Sequence, residues 1–418
     1  MDELISVIIL TYNQEKYIQD TIRSVIDQDY PYLELVILDD CSTDSTEKKI
    51  YEMNEELRKR FVRFVFIKNK NNTGNMSKNY NTLLNELHGE YFKILGGDDM
   101  LTSDSCKKSL EVLIKNEIKY DVVFSDAYII GPEHNYLDIR TNTGDYQIIK
   151  NSNDGESNVV NHLLCCNPFI CIGALCRTNS VREVGGYDER TIIEDYQMWI
   201  RMALKGKRFA VTHEPLAFYR RTDSSISNLL PLDNQRREKI RKFTYQLFKT
   251  ISIFEEELNE IDFKKAMIHK IIWTMTNQCM YGEVDPVVIN GFLHEVGSTL
   301  DATDVWSRLK EKCRKWGENY RKIVIYGYGK YGRFFVYLMD ASETRYSQIV
   351  DLGYQNICDS GHTICGLHEI QSDSDCVIIT PLEYYNEICH TLAERGIGKT
   401  IGIKQFLNEF AEEYVLGM

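Results

Sequence analysis

Lys93-Ile94-Leu95-Gly96-Gly97-Asp98-Asp99 decides how the amino-terminal half of this chain is to be read. An apolar run of this length predicts a buried strand, and the two glycines let the chain turn sharply as it leaves the sheet. Carboxylates at the carboxyl end of a parallel strand sit where open α/β sheets bind their ligands. Two like charges side by side repel unless a cation lies against them, and a divalent cation carrying a diphosphate meets that need. An isolated Asp pair more often marks a polar turn in which one Asp caps the next helix.

The pair is not isolated. The apolar run Leu33–Leu38 closes in Asp39-Asp40-Cys41-Ser42-Thr43-Asp44, and Ile5–Leu10 closes in Thr11-Tyr12-Asn13. Another acidic pair, Glu194-Asp195, opens the helical pattern Tyr196-Gln197-Met198-Trp199-Ile200-Arg201. Three strands that deliver polar groups at one end describe a site.

At this point the sequence resembles the family 2 inverting glycosyltransferases, which have the GT-A nucleotide-sugar-binding fold. The motifs that carry the resemblance are SVIILTYNQEKYI (6–18), ILDDCSTDST (37–46), TGNMSKNYN (73–81), YFKILGGDDM (91–100), GGYDE (185–189) and EDYQMWIRMALKGK (194–207). They stand in the family's order and spacing, and cover residues 1 to about 225.

The resemblance implies a nucleotide-sugar donor, with UDP-sugars foremost, and a glycan or lipid-linked acceptor. It gives Asp99 to a metal, Mn²⁺ or Mg²⁺, which all-oxygen ligation suits. Asp98 then faces the donor ribose or supports the metal. Asp39 is expected to receive the imide proton of a uracil-like base, with Asp40 the weaker claimant and Asp44 a helix cap. Thr11, Tyr12 and Glu15 match positions lining the base and ribose pocket. Lys78 stands where the family usually has Arg, keeping the charge without the planar fork. Asp195 is the expected base and Glu194 its alternative; taken alone, the two acids are equally well explained by the helix dipole. Gly97 stands where the family often has another acid. Thr222 replaces the family's His after Tyr219-Arg220-Arg221, so Arg220 and Arg221 are the candidates for meeting the diphosphate. An inverting displacement needs a base and charge stabilisation but no protein nucleophile.

Composition sets outer bounds. A chain of 418 residues predicts two or three domains, and a net charge of −13 argues against a nucleic-acid partner. The basic run Arg236, Arg237, Lys239, Arg241 and Lys242 reads as a solvated helix face, with contact to anionic lipid headgroups the sharper alternative. The acidic start Met1-Asp2-Glu3 does not suit a signal peptide, and no stretch reaches the roughly 20 apolar residues of a membrane span. Twelve cysteines without a C-x-x-C pair suit a reducing compartment. The expected location is the cytosol, with peripheral attachment to the inner membrane face and self-association both left open.

Residues 4–130 alternate strands (near 5–10, 33–38, 62–67, 90–95 and 121–126) with helices (near 14–28, 44–60, 75–88 and 103–116). That pattern predicts a mainly parallel sheet covered on both faces. The expected division is a GT-A domain at 1–227, a helical region at 228–318 and a small Rossmann-like domain at 319–418. A short hairpin is expected near 140–149. Trp273, Trp306 and Trp316 read as core contacts between helices. The last part opens on a strand and Gly327-Tyr328-Gly329-Lys330-Tyr331-Gly332, the context of a dinucleotide fingerprint, with Asp351 or Asp359 as the ribose acid. Two other functions remain on the sequence: an NAD-dependent sugar-nucleotide enzyme acting through this last unit, and an inactive GT-A binding module.

Overall fold

Uninterrupted apolar runs build the centre of the larger sheet, because a strand covered on both faces has no polar side to show. In the computed structural model they are β1 (Ile5–Thr11), β2 (Leu33–Asp39) and, later in the chain, Tyr91–Gly96, all almost wholly buried. The structure describes residues 3–114, 119–140, 157–222, 234–280, 284–353, 355, 362–370, 374–381, 385–397 and 399–417. By internal contacts the chain divides into two units, Met1–Gln246 and Leu247–Met418.

In the first unit, α1 (Ile18–Ile26) follows β1, and α2 (Thr46–Glu52) and α3 (Asn54–Arg60) follow β2. The edge strand β3 (Arg63–Lys68) comes next, then α4 (Met76–Glu86), β4 (Tyr91–Gly96), β5 (Met100–Leu101) and α5 (Ser105–Ile114). After them come β6 (Val122–Ile130), β7 (Tyr136–Arg140), α6 (Ser157–Cys165), β8 (Leu175–Arg177), α7 (Thr178–Glu183), α8 (Glu194–Leu204) and β9 (Phe209–Arg220). The sheet order is β3-β2-β1-β4-β8-β6-β9-β5, with β7 beside β6. The β3-β2-β1-β4 half is parallel throughout. This is the mixed α/β architecture expected; the first four expected strands fall within a residue of their places, while the fifth, expected to end near 126, runs on to Ile130. Antiparallel β8 separates β4 from β6, an insertion that alternation of strands and helices does not announce.

Helix α1 starts four residues later than expected. The N–H groups of Asn13, Gln14 and Glu15 donate to Ser42 Oγ (2.8 Å), Thr46 Oγ1 (2.8 Å) and Asp44 Oδ2 (3.0 Å). These bonds tie the segment after β1 to the β2–α2 turn. Asn13 adopts φ +54°, a conformation Asn tolerates better than most residues. Asp44 Oδ1 accepts from Thr46 N at 2.9 Å, although the residue at the N-cap of α2 is Ser45 and not Asp44 as expected.

The second unit holds α10 (Glu260–Cys279), preceded by α9 (Asn234–Ser252), which begins in the first unit. It continues with α11 (Pro286–Glu295), α12 (Ala302–Gly317), β10 (Ile323–Tyr326), α13 (Lys330–Ala341), β11 (Gln348–Val350) and β12 (Ile364–Cys365). It ends with β13 (Cys376–Ile379), α14 (Tyr385–Glu394), β14 (Thr400–Gly402) and α15 (Ile403–Leu416). Its sheet is parallel, in the order β12-β11-β10-β13-β14, the doubly wound arrangement that the glycine fingerprint anticipates. Trp306 stacks on Tyr337 and Trp316 meets Phe335 and Phe406 edge-on, so both are packing residues. Arg241 and Lys242 are exposed, and Lys242 faces Glu238 at 3.9 Å, as on a solvated helix face. The side chains of Arg236, Arg237 and Lys239, the expected hairpin beyond Arg140, and Asp359 lie outside the described residues.

The fingerprint glycines have separate explanations. A Cβ on Gly332 would stand 1.9 Å from Gly327 O, and one on Gly327 (φ +91°) 2.6 Å from Pro381 Cδ. Gly329 has open space before it. Asp351 ends β11, where the ribose acid belongs, yet its carboxylate accepts from Tyr328 N and Gly353 N, both at 2.7 Å. The Tyr328 ring, 4% exposed, lies under the Arg333 guanidinium, and its hydroxyl is 3.3 Å from His362 Nδ1. Among the described residues no helix is long and apolar enough to cross a membrane.

Candidate active site

Parallel register brings the ends of the central strands together. Thr11 stands beside Asp39, and Leu10 beside Gly96, so the groups after β1, β2 and β4 gather at one carboxyl edge. The turn Gly96–Asp99 begins there. Gly97 N donates to Leu10 O at 3.0 Å, and its carbonyl accepts from Thr21 Oγ1 at 3.0 Å. A Cβ on Gly97 would lie 2.5 Å from Thr11 Oγ1 and 2.7 Å from Thr11 Cβ. This close approach leaves no room for a side chain at Gly97. Gly97→Ala should therefore cost about 1–3 kcal/mol of stability by overpacking and move the turn, measurable as a lower Tm and weaker donor binding. An unchanged Tm would show that Thr11 can give way.

Asp99 is 4% exposed, and its Oδ1 accepts from Arg220 N at 2.9 Å. Burial raises its pKa well above the usual carboxylate range, and the charge of Asp98 raises it further. Asp98 is half-buried and also raised, by burial. Two such neighbours cannot both ionise comfortably without a compensating positive charge.

Arg220 ends β9 and is wholly buried beneath this turn. Its Nε donates to Asp98 O at 2.8 Å and its Nη1 to Pro132 O at 3.2 Å. Its Nη2 is 3.1 Å from His134 Nε2, and the guanidinium lies 4.7 Å from the Tyr17 ring centroid. The side chain braces the turn from behind, which leaves the exposed Arg221 as the arginine facing outward.

The second acidic pair opens α8. Asp195 Oδ1 accepts from Tyr196 N at 2.6 Å and Oδ2 from Asn167 Nδ2 at 2.9 Å. Burial, reinforced by the charge of Asp195, raises the Glu194 carboxyl to about 8. Asp99 and this second pair act on the same two groups. Beyond the effect of burial, the charges of Glu194, Asp195 and Asp99 raise both the Tyr80 phenol on α4 and the Cys171 thiol before β8. The GGYDE turn closes the same side. Asn81 accepts from Tyr187 N at 2.8 Å and donates to Tyr187 O at 2.9 Å, while Tyr80 stacks on Tyr187 with centroids 5.1 Å apart. Asp188 bonds Arg190 and Arg201, each at 2.7 Å. Burial pushes its carboxyl up, but these arginine and backbone bonds win and bring it to about 2.

The remaining expected donor residues divide. Tyr12 is 45% exposed at the end of β1, and Lys78 is exposed on the first turn of α4. Thr11 is 2% exposed and faces Gly97, so its hydroxyl lines no open pocket. Glu15 Oε2 accepts from Ser45 N at 3.0 Å, which ties it to the start of α2. Asp39 is held within its own turn. Its side chain is fully buried, and both oxygens accept from Ser42 N at 3.2 Å, with Ser42 Oγ also bonded to Oδ1. Asp40 instead bonds Asn69 Nδ2 (2.7 Å), Thr73 N (2.9 Å) and Thr73 Oγ1 (3.0 Å), tying the 69–73 loop to the strand end. Asn167 was not singled out in the sequence; the only signal was its place before a proline in an apolar stretch.

Comparison with known proteins agrees with this geometry. The profile described as Glycosyl transferase family 2 matches residues 6–170, and that of Glycosyl transferase family group 2 matches residues 92–273. The putative teichuronic acid biosynthesis glycosyltransferase TuaG of Bacillus subtilis is 28% identical over 225 residues, 54% of this chain and 82% of TuaG. WfgD of Escherichia coli, a UDP-Glc:alpha-D-GlcNAc-diphosphoundecaprenol beta-1,3-glucosyltransferase, is 28% identical over 40% of this chain and 64% of its own length. A solved structure of Staphylococcus aureus TarS 1–349 in complex with UDP-GlcNAc shares 18% identity, covers 66% of this chain and 83% of its own, and has a TM-score of 0.44. Residues 6–170 therefore match glycosyl transferase family 2, enzymes that move a sugar from a nucleotide-sugar, and the amino-terminal unit has the mixed α/β sheet of a GT-A-like fold.

Proposed function

We propose that the protein is a metal-dependent, inverting transferase that moves a sugar from a UDP-sugar to a growing glycan or a lipid-linked sugar. The observation that carries this reading is that the charges of Asp99, Glu194 and Asp195 all act on the same two groups, the buried Tyr80 and the partly buried Cys171. One acidic pair at a strand end suits the donor, and the other, at a helix start, suits the acceptor. TuaG and WfgD, which act in polysaccharide synthesis and on a lipid-linked sugar by their names, support that acceptor class. The UDP-Glc in WfgD's name supports the donor. A lipid-linked acceptor also favours a cytosolic protein working at the inner membrane face.

The donor set at the turn fits Mn²⁺ or Mg²⁺: two hard carboxylates whose burial disfavours their charge until a cation arrives. Among the described residues no three acids, histidines or cysteines form a metal cluster, so donor phosphates and water would complete the coordination. Bound there, the ion would stabilise the departing diphosphate. Asp99 and Asp98 would hold it, and Arg220 fixes their turn. Asp195 takes the acceptor hydroxyl's proton. Tyr12, Lys78 and Arg221 face the donor. We assign transfer to residues 1–227, with 228–318 a helical region and 319–418 a Rossmann-like module that docks or regulates. The buried Tyr328 ring and the engaged Asp351 weigh against a nicotinamide cofactor in that module.

A thermal-shift panel tests the donor class: UDP-glucose, UDP-galactose, UDP-N-acetylglucosamine and GDP-mannose, each with Mn²⁺. A ligand that binds the folded state at 100 times its Kd adds about 2.7 kcal/mol of stability. The expected result is a Mn²⁺-dependent rise in Tm with one or more UDP-sugars. A rise with GDP-mannose alone would overturn the UDP reading.

A further inference from the structure

Sequence offers two adjacent acids, Glu194 and Asp195, for one proton-accepting role, and nothing in their spacing chooses between them. The choice is made by a residue 28 positions upstream. Asn167 Nδ2 donates to Asp195 Oδ2 at 2.9 Å, while Asp195 Oδ1 accepts from Tyr196 N at 2.6 Å. With a donor on each oxygen, the carboxylate cannot rotate freely. Both bonds favour its charged form.

The Asn167 amide is itself set. Its Oδ1 accepts from Phe169 N at 3.3 Å, so Nδ2 must be the end that points at Asp195. A flipped amide would set two oxygens against each other and two N–H groups against each other. Pro168 confines the Asn167 backbone to extended conformations. Phe169, buried, stacks on Phe124 with centroids 4.1 Å apart and planes 2° apart. Phe124 meets Trp199 edge-on at 4.9 Å, and Trp199 lies on α8, one turn beyond Asp195. The Tyr196 hydroxyl bonds Leu163 O, at the other end of the same segment. Residues 163–169 are thus packed against the start of α8, and Asn167 is delivered to Asp195 by an aromatic core.

We propose that Asn167 is a positioning residue that makes Asp195, and not Glu194, the base of the transfer reaction. The inference rests on the reading of this acidic pair as the proton acceptor. Glu194 is adjacent on the same helix and holds its proton to higher pH. Among the described residues the other titratable groups on which the charge of the pair acts include Tyr80 from α4, Cys171 before β8, Tyr187 from the GGYDE turn and Tyr196 beside Asp195. Burial pushes all four well up, so they stay neutral in the working range. The Asp99 carboxyl also acts on Tyr80 and Cys171, and a bound cation would mask its charge.

The test uses the full chain, Mn²⁺ and the UDP-sugar selected by thermal shift, following release of UDP by transfer or hydrolysis. Asn167→Ala should lower kcat by about 10- to 100-fold, the range for one lost hydrogen bond to a charged group. It should move the acid limb of the pH profile upward and leave donor KM unchanged. Asn167→Gln, which keeps an amide on a longer arm, should recover part of kcat; it also serves if the Ala variant does not fold. If Asp195→Asn is inactive while Asn167→Ala keeps the wild-type kcat and acid limb, the positioning role falls and the base assignment stands. If Asp195→Asn is fully active, the base assignment itself falls. A loss in Asn167→Ala that raises KM and lowers Tm, with the acid limb unmoved, would show a merely structural residue and overturn the proposal.

Discussion

Replacing Asp99 with Asn is expected to abolish transfer, with a loss of about 10³-fold or more, the scale of several kcal/mol of charge stabilisation. The same change should erase the effect of Mn²⁺ on donor binding in calorimetry or thermal shift. Folding should survive. Asp99 is almost fully buried, and burial together with Asp98 already penalises its charge, so a neutral isostere removes an electrostatic burden from the metal-free protein. Arg220 N would still find an amide oxygen where it now meets Asp99 Oδ1. Tm without metal is therefore expected to hold or rise while activity disappears, a combination that a folding defect does not produce. Full transfer in excess EDTA, or by the Asp99→Asn protein, would remove the metal from the reaction.

What could be seen in the sequence was what short-range chemistry dictates. An apolar run closing in Gly-Gly-Asp-Asp has few alternatives to a buried strand and a liganding turn, and the parallel half of the sheet followed from several such runs. Long-range pairings were the part that could not be read. Lys93 lies inside the deciding strand, wholly buried, with Nζ bonded to Ser109 Oγ at 2.8 Å and Gly173 O at 2.6 Å. Burial draws its pKa down to about 8, and neither partner could be guessed from residues 91–99. Arg220 shows the same limit. Its neighbour in sequence suggested a diphosphate contact, but the pairing of β5 with β9 turns its side chain under Asp98 and Asp99. That Ser42 bonds Asp39 while Asp40 holds the 69–73 loop could not be read from the sequence either. Asn167 could not be found at all, because its meaning depends on how Phe169 packs.

The acidic pair on α8 carries the other large expected effect. Asp195→Asn should lower turnover by about 10²–10⁴-fold, the usual loss when a general base is removed, with donor affinity nearly unchanged. Glu194→Gln should stay within about tenfold of wild type, because Gln mimics the protonated acid that Glu194 is at neutral pH. The two variants also differ in stability. The Glu194 carboxyl is raised in the folded protein to about 8 from an ordinary value of 4.5. Its contribution to stability is therefore fully present below pH 4.5 and is lost as pH rises through 8. Wild-type Tm in the absence of ligand should fall between pH 5 and pH 9 by more than that of Glu194→Gln, an effect on the order of a few kcal/mol. Parallel pH–Tm curves for the two proteins would show that Glu194 ionises freely and could compete for the acceptor's proton. Wild-type turnover in Asp195→Asn, with Glu194→Gln dead, would then move the base one residue back.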